Sequence, residues 1–234
     1  MIHMRADELA TNGLFVKICG ITSEEDALLS IAMGADAIGF VFAPGSTRQV
    51  APLRVADIVK RLPPEVATIG VFRDEAPERV VDIVQRTGLT GAQLHGHETV
   101  AQTTFVAEAL PLVIQAFPAG DRAIDRARNY PVEIIMIDNP TPGSGVLFDW
   151  SLTDGLPDGK KLILAGGLSP ENVGDAIARV RPWGVDVSSG VESGPGVKDA
   201  RRVRAFITNA RAAAAALPVY QGQASAPYDW QEEL

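Results

Sequence analysis

A single cysteine, Cys19, stands in a chain of 234 residues. One thiol cannot close an internal disulfide, so the fold rests on no disulfide framework and the composition fits a reducing cytoplasm. Runs of 18 or so apolar residues are also lacking, so no transmembrane helix is expected. Residues 1–12 are polar, carry Asp7 and Glu8, and lack the basic start and apolar centre of a secretory signal. Positive charge is in deficit: 21 Lys and Arg face 29 Asp and Glu, for a net charge of −8. Nucleic acid is therefore not an expected partner, because that binding is driven by clustered Lys and Arg against phosphates. A small phosphate stays within reach, since helix N-termini bind one through backbone amides.

What the chain does have is alternation. Eight apolar, strand-like runs fall at 15–19, 37–42, 68–72, 91–95, 112–117, 134–138, 161–165 and 184–188. Between and after them, 24–33, 52–61, 77–87, 99–109, 122–129, 170–180 and 200–216 have helical spacing. Helix-start signals support several: Thr22 or Ser23 before Glu25, Ala76-Pro77-Glu78 and Ser169-Pro170-Glu171. The stretch after the sixth strand is rich in Gly and Pro over 140–145 and reads as a turn at most. Strands alternating with helices imply a parallel sheet, and eight such units in about 200 residues match a single-domain α/β (β/α)₈ barrel. A doubly wound open sheet competes, but Cys19-Gly20-Ile21-Thr22 after the first strand is not a glycine-rich dinucleotide loop. The expected organisation is an N-terminal extension over 1–14, the barrel over 15–216, and a linker-like tail over 217–234.

The first strand carries an unusual pair. Period-2 geometry puts Lys17 and Cys19 on one face and Val16 and Ile18 on the other. Burying a lysine costs several kcal/mol unless it is paired. Strand eight closes the barrel against strand one, so Asp186 is the expected partner. A neighbouring ammonium favours the thiolate, which marks Cys19 for chemistry; the alternative is an inert packed thiol.

In this architecture the active site lies at the C-terminal ends of the strands. Functional groups collect there: Cys19 after strand one, Arg48 after strand two, Gln93 and His95 on strand four, Asp138 closing strand six, Gly166-Gly167 after strand seven, and Asp186 with Ser188-Ser189-Gly190 at strand eight. The loops after strands seven and eight are the usual phosphate cradle, where glycines let backbone amides approach a ligand. The planar fork of Arg48 suits a carboxylate. His97 is expected in a loop and His3 in the extension, so no set of side chains has metal-ligand spacing and no metal site is expected.

Taken in order, the motifs Val16-Lys17-Ile18-Cys19-Gly20-Ile21-Thr22, Gln93-Leu94-His95-Gly96, Phe148-Asp149-Trp150, Gly166-Gly167-Leu168, Glu171-Asn172-Val173 and Asp186-Val187-Ser188-Ser189-Gly190-Val191-Glu192 resemble those of the phosphoribosylanthranilate isomerases of tryptophan biosynthesis. The resemblance runs from about residue 16 to about residue 210. It implies an Amadori rearrangement of N-(5-phosphoribosyl)anthranilate to 1-(2-carboxyphenylamino)-1-deoxyribulose 5-phosphate, with neither cofactor nor metal. It implies Asp138 as general acid and Cys19 as general base. Arg48, His95, Lys17 and Asp186 would form the rest of the substrate site, with Arg48 on the anthranilate carboxylate. Phosphate would lie on Gly166, Gly167, Ser188, Ser189 and Gly190. The acid role asks for a carboxyl pKa raised at Asp138, the base role for a thiol pKa lowered at Cys19, with Lys17 supplying the shift. A monomer or homodimer is expected. One departure is plain: the loop after Asp138 often reads Gly-Gly-x-Gly-Lys in that family, and here Pro142-Gly143-Ser144-Gly145-Val146 carries no lysine.

Three other readings compete. The sister isomerase of histidine biosynthesis would carry an aspartate on strand one and a second phosphate cradle. A non-catalytic metabolite sensor would keep the cradle and lose the acid–base pair. A thiol nucleophile would need an oxyanion arrangement near Cys19, and none is evident.

Overall fold

The computed structural model describes residues 9–10, 13–120, 124–139 and 159–217. Residues 140–150, with the expected turn and the Phe148-Asp149-Trp150 motif, and most of the expected extension and tail lie outside them. Eight parallel strands close into a barrel in sequence order: β1 (Phe15–Ile18), β2 (Ala37–Val41), β3 (Ala67–Phe72), β4 (Gly91–Leu94), β5 (Val113–Pro118), β6 (Ile134–Asp138), β7 (Lys161–Leu164) and β8 (Gly184–Val187). β1 pairs with both β2 and β8, which makes the closure. Around it run α1 (Glu24–Ala32), α2 (Pro52–Val59), α3 (Pro77–Thr87), α4 (Val100–Ala109), α5 (Val173–Val180) and α6 (Ala200–Ala216). No described helix is long and apolar enough to cross a membrane.

The helices start where the local chemistry stops the preceding loop. Ser23 accepts the Asp26 amide at 3.1 Å to open α1. Thr99 and Gln102 form a reciprocal capping box at α4, and Asp199 accepts the amides of Arg201 and Arg202 at α6. Two expected helices differ. Residues 124–129 form a 3₁₀ turn rather than an α-helix. α5 begins at Val173, not at Pro170, because Asn172 is used to close the preceding loop: its side chain accepts the Ser169 amide at 2.8 Å and donates to the Gly167 carbonyl at 2.9 Å.

Strand alternation sorts the core into two shells. Val16, Ile18, Ile38, Phe40, Ile135 and Ile137 point outward against the helices. Phe15, Ala37, Ala67, Ile114, Ile134 and Ile163 point into the barrel. The inner shell is sealed at the strand starts, where Phe15 stacks on Trp183 at 4.7 Å between ring centroids. Leu9, placed in the extension on sequence grounds, is buried with this shell. A short antiparallel hairpin, β9 (Glu192–Gly194) with β10 (Val197–Lys198), lies between β8 and α6 and was not expected from the sequence.

Candidate active site

The barrel register sets Lys17 directly opposite Asp186. Both side chains turn inward, and the Lys17 ammonium lies 2.8 Å from Asp186 Oδ1 with no solvent exposure. The Cys19 thiol lies on the same strand face, and both it and the Lys17 ammonium border Gly39. Burial alone would lower the Lys17 pKa, but Asp186 and Cys19 together hold it above the ordinary lysine value. Gly39, on the inner face of β2, makes room for this group: a Cβ there would stand 2.9 Å from Cys19 Sγ and 3.1 Å from Lys17 Nζ.

The Cys19 thiol does not behave as the lysine neighbour alone suggests. Burial pushes its pKa up; Lys17 pulls it down without overcoming that, and Asp186 adds to the rise. The expected lowering in the free protein is thus reversed, because Cys19 is only 7% exposed and the charge of Lys17 is shared with a carboxylate.

Asp138 ends β6, and two donors address its carboxylate. The Asn139 amide lies 2.7 Å from Oδ1 and His95 Nε2 lies 3.1 Å from Oδ2. His95 is held from behind by Gln93, whose Nε2 is 2.7 Å from Nδ1 and 3.3 Å from Met136 Sδ. With the amide nitrogen as donor, Nδ1 accepts and Nε2 carries its hydrogen toward Asp138. Gly166, with φ +83°, leaves the space that Asp138 needs; a Cβ there would come within 2.8 Å of Oδ1.

The glycine loop after β7 and the turn after β8 abut, since a Cβ on Gly190 would run into the Leu168 carbonyl. Ser189–Val191 form a 3₁₀ turn, and Arg202 of α6 donates to the Gly190 carbonyl at 2.9 Å. The loop that opens with Gly166-Gly167 and the turn Ser188-Ser189-Gly190 therefore touch at Leu168 and Gly190.

Arg48 sits on the rim beside Gly20, but one edge of its fork is already taken. Its Nε and Nη2 donate to the two carboxylate oxygens of Glu192, each at 2.8 Å. Glu192 Oε1 also accepts from Lys198 Nζ at 2.9 Å. These bonds keep Arg48 above its ordinary pKa; burial would raise that of Glu192, but Arg48 and Lys198 together hold it low. Burial pulls Lys198 below the usual lysine value, against the pull of Glu192.

Among the described residues, Lys17, Cys19, Arg48, His95, Asp138 and Asp186 thus lie at the C-terminal rim or directly beneath it, with the glycine loop after β7 and the turn after β8. Lys17 and Asp186 form the floor, Cys19 and Arg48 one side, His95 and Asp138 the other. Lys198 and the pairing role of Glu192 were missed. Glu192 stood in a quoted motif, whereas Lys198 follows the β8 turn with no periodic pattern to flag it. Among the described residues, no three His, Cys, Asp or Glu side chains are grouped so as to hold a metal ion.

A family model described as N-(5'phosphoribosyl)anthranilate (PRA) isomerase matches residues 16–209. A Desulforudis audaxviator protein named N-(5'-phosphoribosyl)anthranilate isomerase is 48% identical over 205 residues, spanning 85% of this chain and 98% of the relative. The crystal structure of the Thermotoga maritima phosphoribosyl anthranilate isomerase is 47% identical with a TM-score of 0.80, covering 85% of this chain and 99% of its own. Another similar structure is of a phosphoribosyl anthranilate isomerase in complex with reduced 1-(o-carboxyphenylamino)-1-deoxyribulose 5-phosphate. It is 45% identical with a TM-score of 0.76, covering 85% of this chain and 99% of that one.

Proposed function

The chain belongs to the N-(5'-phosphoribosyl)anthranilate isomerase family, and from that premise we propose how its own residues carry the reaction. The protein is an isomerase of tryptophan biosynthesis, converting N-(5-phosphoribosyl)anthranilate to 1-(2-carboxyphenylamino)-1-deoxyribulose 5-phosphate. Asp138, carrying a proton in the substrate complex, gives it to the furanose ring oxygen, the C1–O bond breaks, and the nitrogen lone pair closes a protonated Schiff base. Cys19, as thiolate, takes the proton from C2, and the electron pair moves to form the enolamine, which tautomerises to the ketone. The cationic Schiff base formed beside Cys19 favours the thiolate that burial disfavours in the free protein.

The observation that carries this reading is the strand order. The phosphate surface follows β7 and β8, and in the closed barrel these strands stand between β6, which ends in Asp138, and β1, which leads into Cys19. A sugar phosphate anchored on Gly166, Gly167, Ser188, Ser189 and Gly190 has the acid on one side and the base on the other. Arg48 meets the anthranilate carboxylate. His95, bonded to Asp138 and backed by Gln93, orients the acid. Lys17 and Asp186, buried beneath the rim, set the position and charge of Cys19 rather than touching the substrate. We place the reaction in the cytoplasm, in keeping with the single reduced thiol.

The test is turnover of phosphoribosylanthranilate, followed as loss of its fluorescence, by the wild type and by Cys19→Ser and Asp138→Asn. Each variant should lose roughly 10²- to 10⁴-fold in kcat while still binding the reduced product. A Cys19→Ser enzyme as fast as the wild type would remove Cys19 from the mechanism.

A further inference from the structure

The hairpin after β8 does more than connect β8 to α6. Lys198 lies opposite Glu192 in its register, and the two side chains bond at 2.9 Å. Thr22, on the loop after β1, donates to the Gly196 carbonyl at 2.6 Å, and the Lys198 amide donates to Asp26 Oδ2 at 3.2 Å. The Lys198 ammonium also donates to the Ser188 carbonyl at 3.2 Å, inside the phosphate surface. Glu192 is therefore fixed from behind before it meets Arg48. A guanidinium has five N–H groups arranged in two bidentate edges. Glu192 takes the Nε/Nη2 edge, which leaves the Nη1/Nη2 end for another acceptor. The bonded side chains Arg48, Lys198 and Glu192 comprise two cations and one carboxylate, so a second carboxylate completes their charge balance.

We propose that Glu192 is a specificity-determining positioning residue: anchored by Lys198, it locks Arg48 so that only the end of its fork faces an aryl carboxylate, and so selects N-aryl aminosugar phosphates that carry that carboxylate. The inference rests on the assignment of Arg48 to the anthranilate carboxylate made above. It differs from a resting-state role in which Glu192 merely fills the carboxylate's place until substrate displaces it. A placeholder competes with the ligand, and its removal tightens binding; a positioning residue supports the ligand, and its removal weakens binding.

The experiment measures Kd, by calorimetry on the intact protein, for two ligands: reduced 1-(2-carboxyphenylamino)-1-deoxyribulose 5-phosphate and the same compound without its carboxyl group. Glu192→Gln should weaken the carboxylated ligand roughly tenfold or more and leave the other within about twofold. Tighter or unchanged binding of the carboxylated ligand, or equal weakening of both, overturns the proposal. If Glu192→Gln does not fold, Glu192→Asp carries the same comparison, because it keeps the charge and withdraws both oxygens by one methylene. Arg48→Lys separates the two levels of the argument. Loss confined to the carboxylated ligand in Arg48→Lys but not in the Glu192 variants sinks the role of Glu192 alone; an Arg48→Lys effect equal on both ligands sinks the assignment of Arg48 itself.

Discussion

The two ends of the barrel interior are built on opposite principles. At the strand starts the inward residues include Phe15, Ala37, Ala67, Ile134 and Ile163, sealed by Leu9, and they hold the barrel chiefly by packing, with Lys161 over the Trp183 ring at the outer edge. Two to four residues further along the strands, the inward positions carry Lys17, Gln93, Asp186 and, at the rim, Cys19 and Asp138, all buried. The apolar end is held by non-directional burial, where each side chain contributes by area. The polar end stays together because its charged groups are paired, although the buried Oε1 of Gln93 has no partner among the described residues, and ion pairs of this kind contribute little or negatively to net stability. The difference teaches where function lives: the base can be altered at a cost in stability, whereas the rim was built for a chemistry that stability alone would not select.

The sharpest way to break that contrast is to remove one partner at the polar end. Lys17→Met should cost about 3–5 kcal/mol, because it leaves Asp186 buried without a counter-ion. Pairing it with Asp186→Leu should return most of the loss, since replacing a whole buried ion pair by apolar groups is often neutral. At the apolar end, Phe15→Ala should cost a similar 3–5 kcal/mol with no second substitution able to restore it so simply. Urea unfolding of the four proteins at neutral pH decides the matter. If the double variant is no more stable than Lys17→Met, the pair is not an isolated unit and the contrast fails.

A smaller effect is expected at Gly39, where the two ends meet. A methyl group there would press on Cys19 Sγ and Lys17 Nζ from 2.9 and 3.1 Å. Gly39→Ala should destabilise by about 1–3 kcal/mol through overpacking. It should also lower kcat with little change in KM, because Cys19 moves while the phosphate and carboxylate contacts stay in place. A Gly39→Ala enzyme with full kcat would show that the base tolerates displacement.

Much of this arrangement was legible in the sequence, and the parts that were not share a cause. All eight strands show as short apolar runs with turn signals between them, because a strand buried on both faces leaves little else to read. The Lys17–Asp186 pair was open to the same reading, since a closed parallel barrel brings the last strand beside the first in register. The hairpin at 192–198 was not, because strands of three and two residues have no period. Nor was the bond between Arg48 and Glu192, which are 144 residues apart and joined only through the fold. Pro170 misled for a local reason: its helix-start signal was real, but Asn172 serves the Gly167 loop and delays the helix to Val173. The direction of the Cys19 shift failed on depth. A sequence shows that a lysine is near, and only the fold shows how completely the thiol is buried and that Asp186 shares the charge of Lys17.

The smallest expected effect concerns that thiol and reaches it from the hairpin. Cys19 has a raised pKa in the fold, through burial first, with Lys17 and more weakly Lys198 opposing the rise. A raised folded pKa means that the protonated thiol is the favoured native form. Its contribution to stability is present below the unfolded value of about 8.5 and is lost as pH rises through the folded midpoint. The free enzyme should therefore resist iodoacetamide at neutral pH, and the thiolate absorbance should develop with a midpoint above about 8.5. Lys198→Met removes one of the cations that favour thiolate, so its midpoint should move further up, though by less than in Lys17→Met, which removes the stronger of the two opposing charges. A thiolate already present at neutral pH in the wild type would mean that Lys17 outweighs burial, and the polar end of the barrel would then be charged for catalysis before substrate arrives rather than by it.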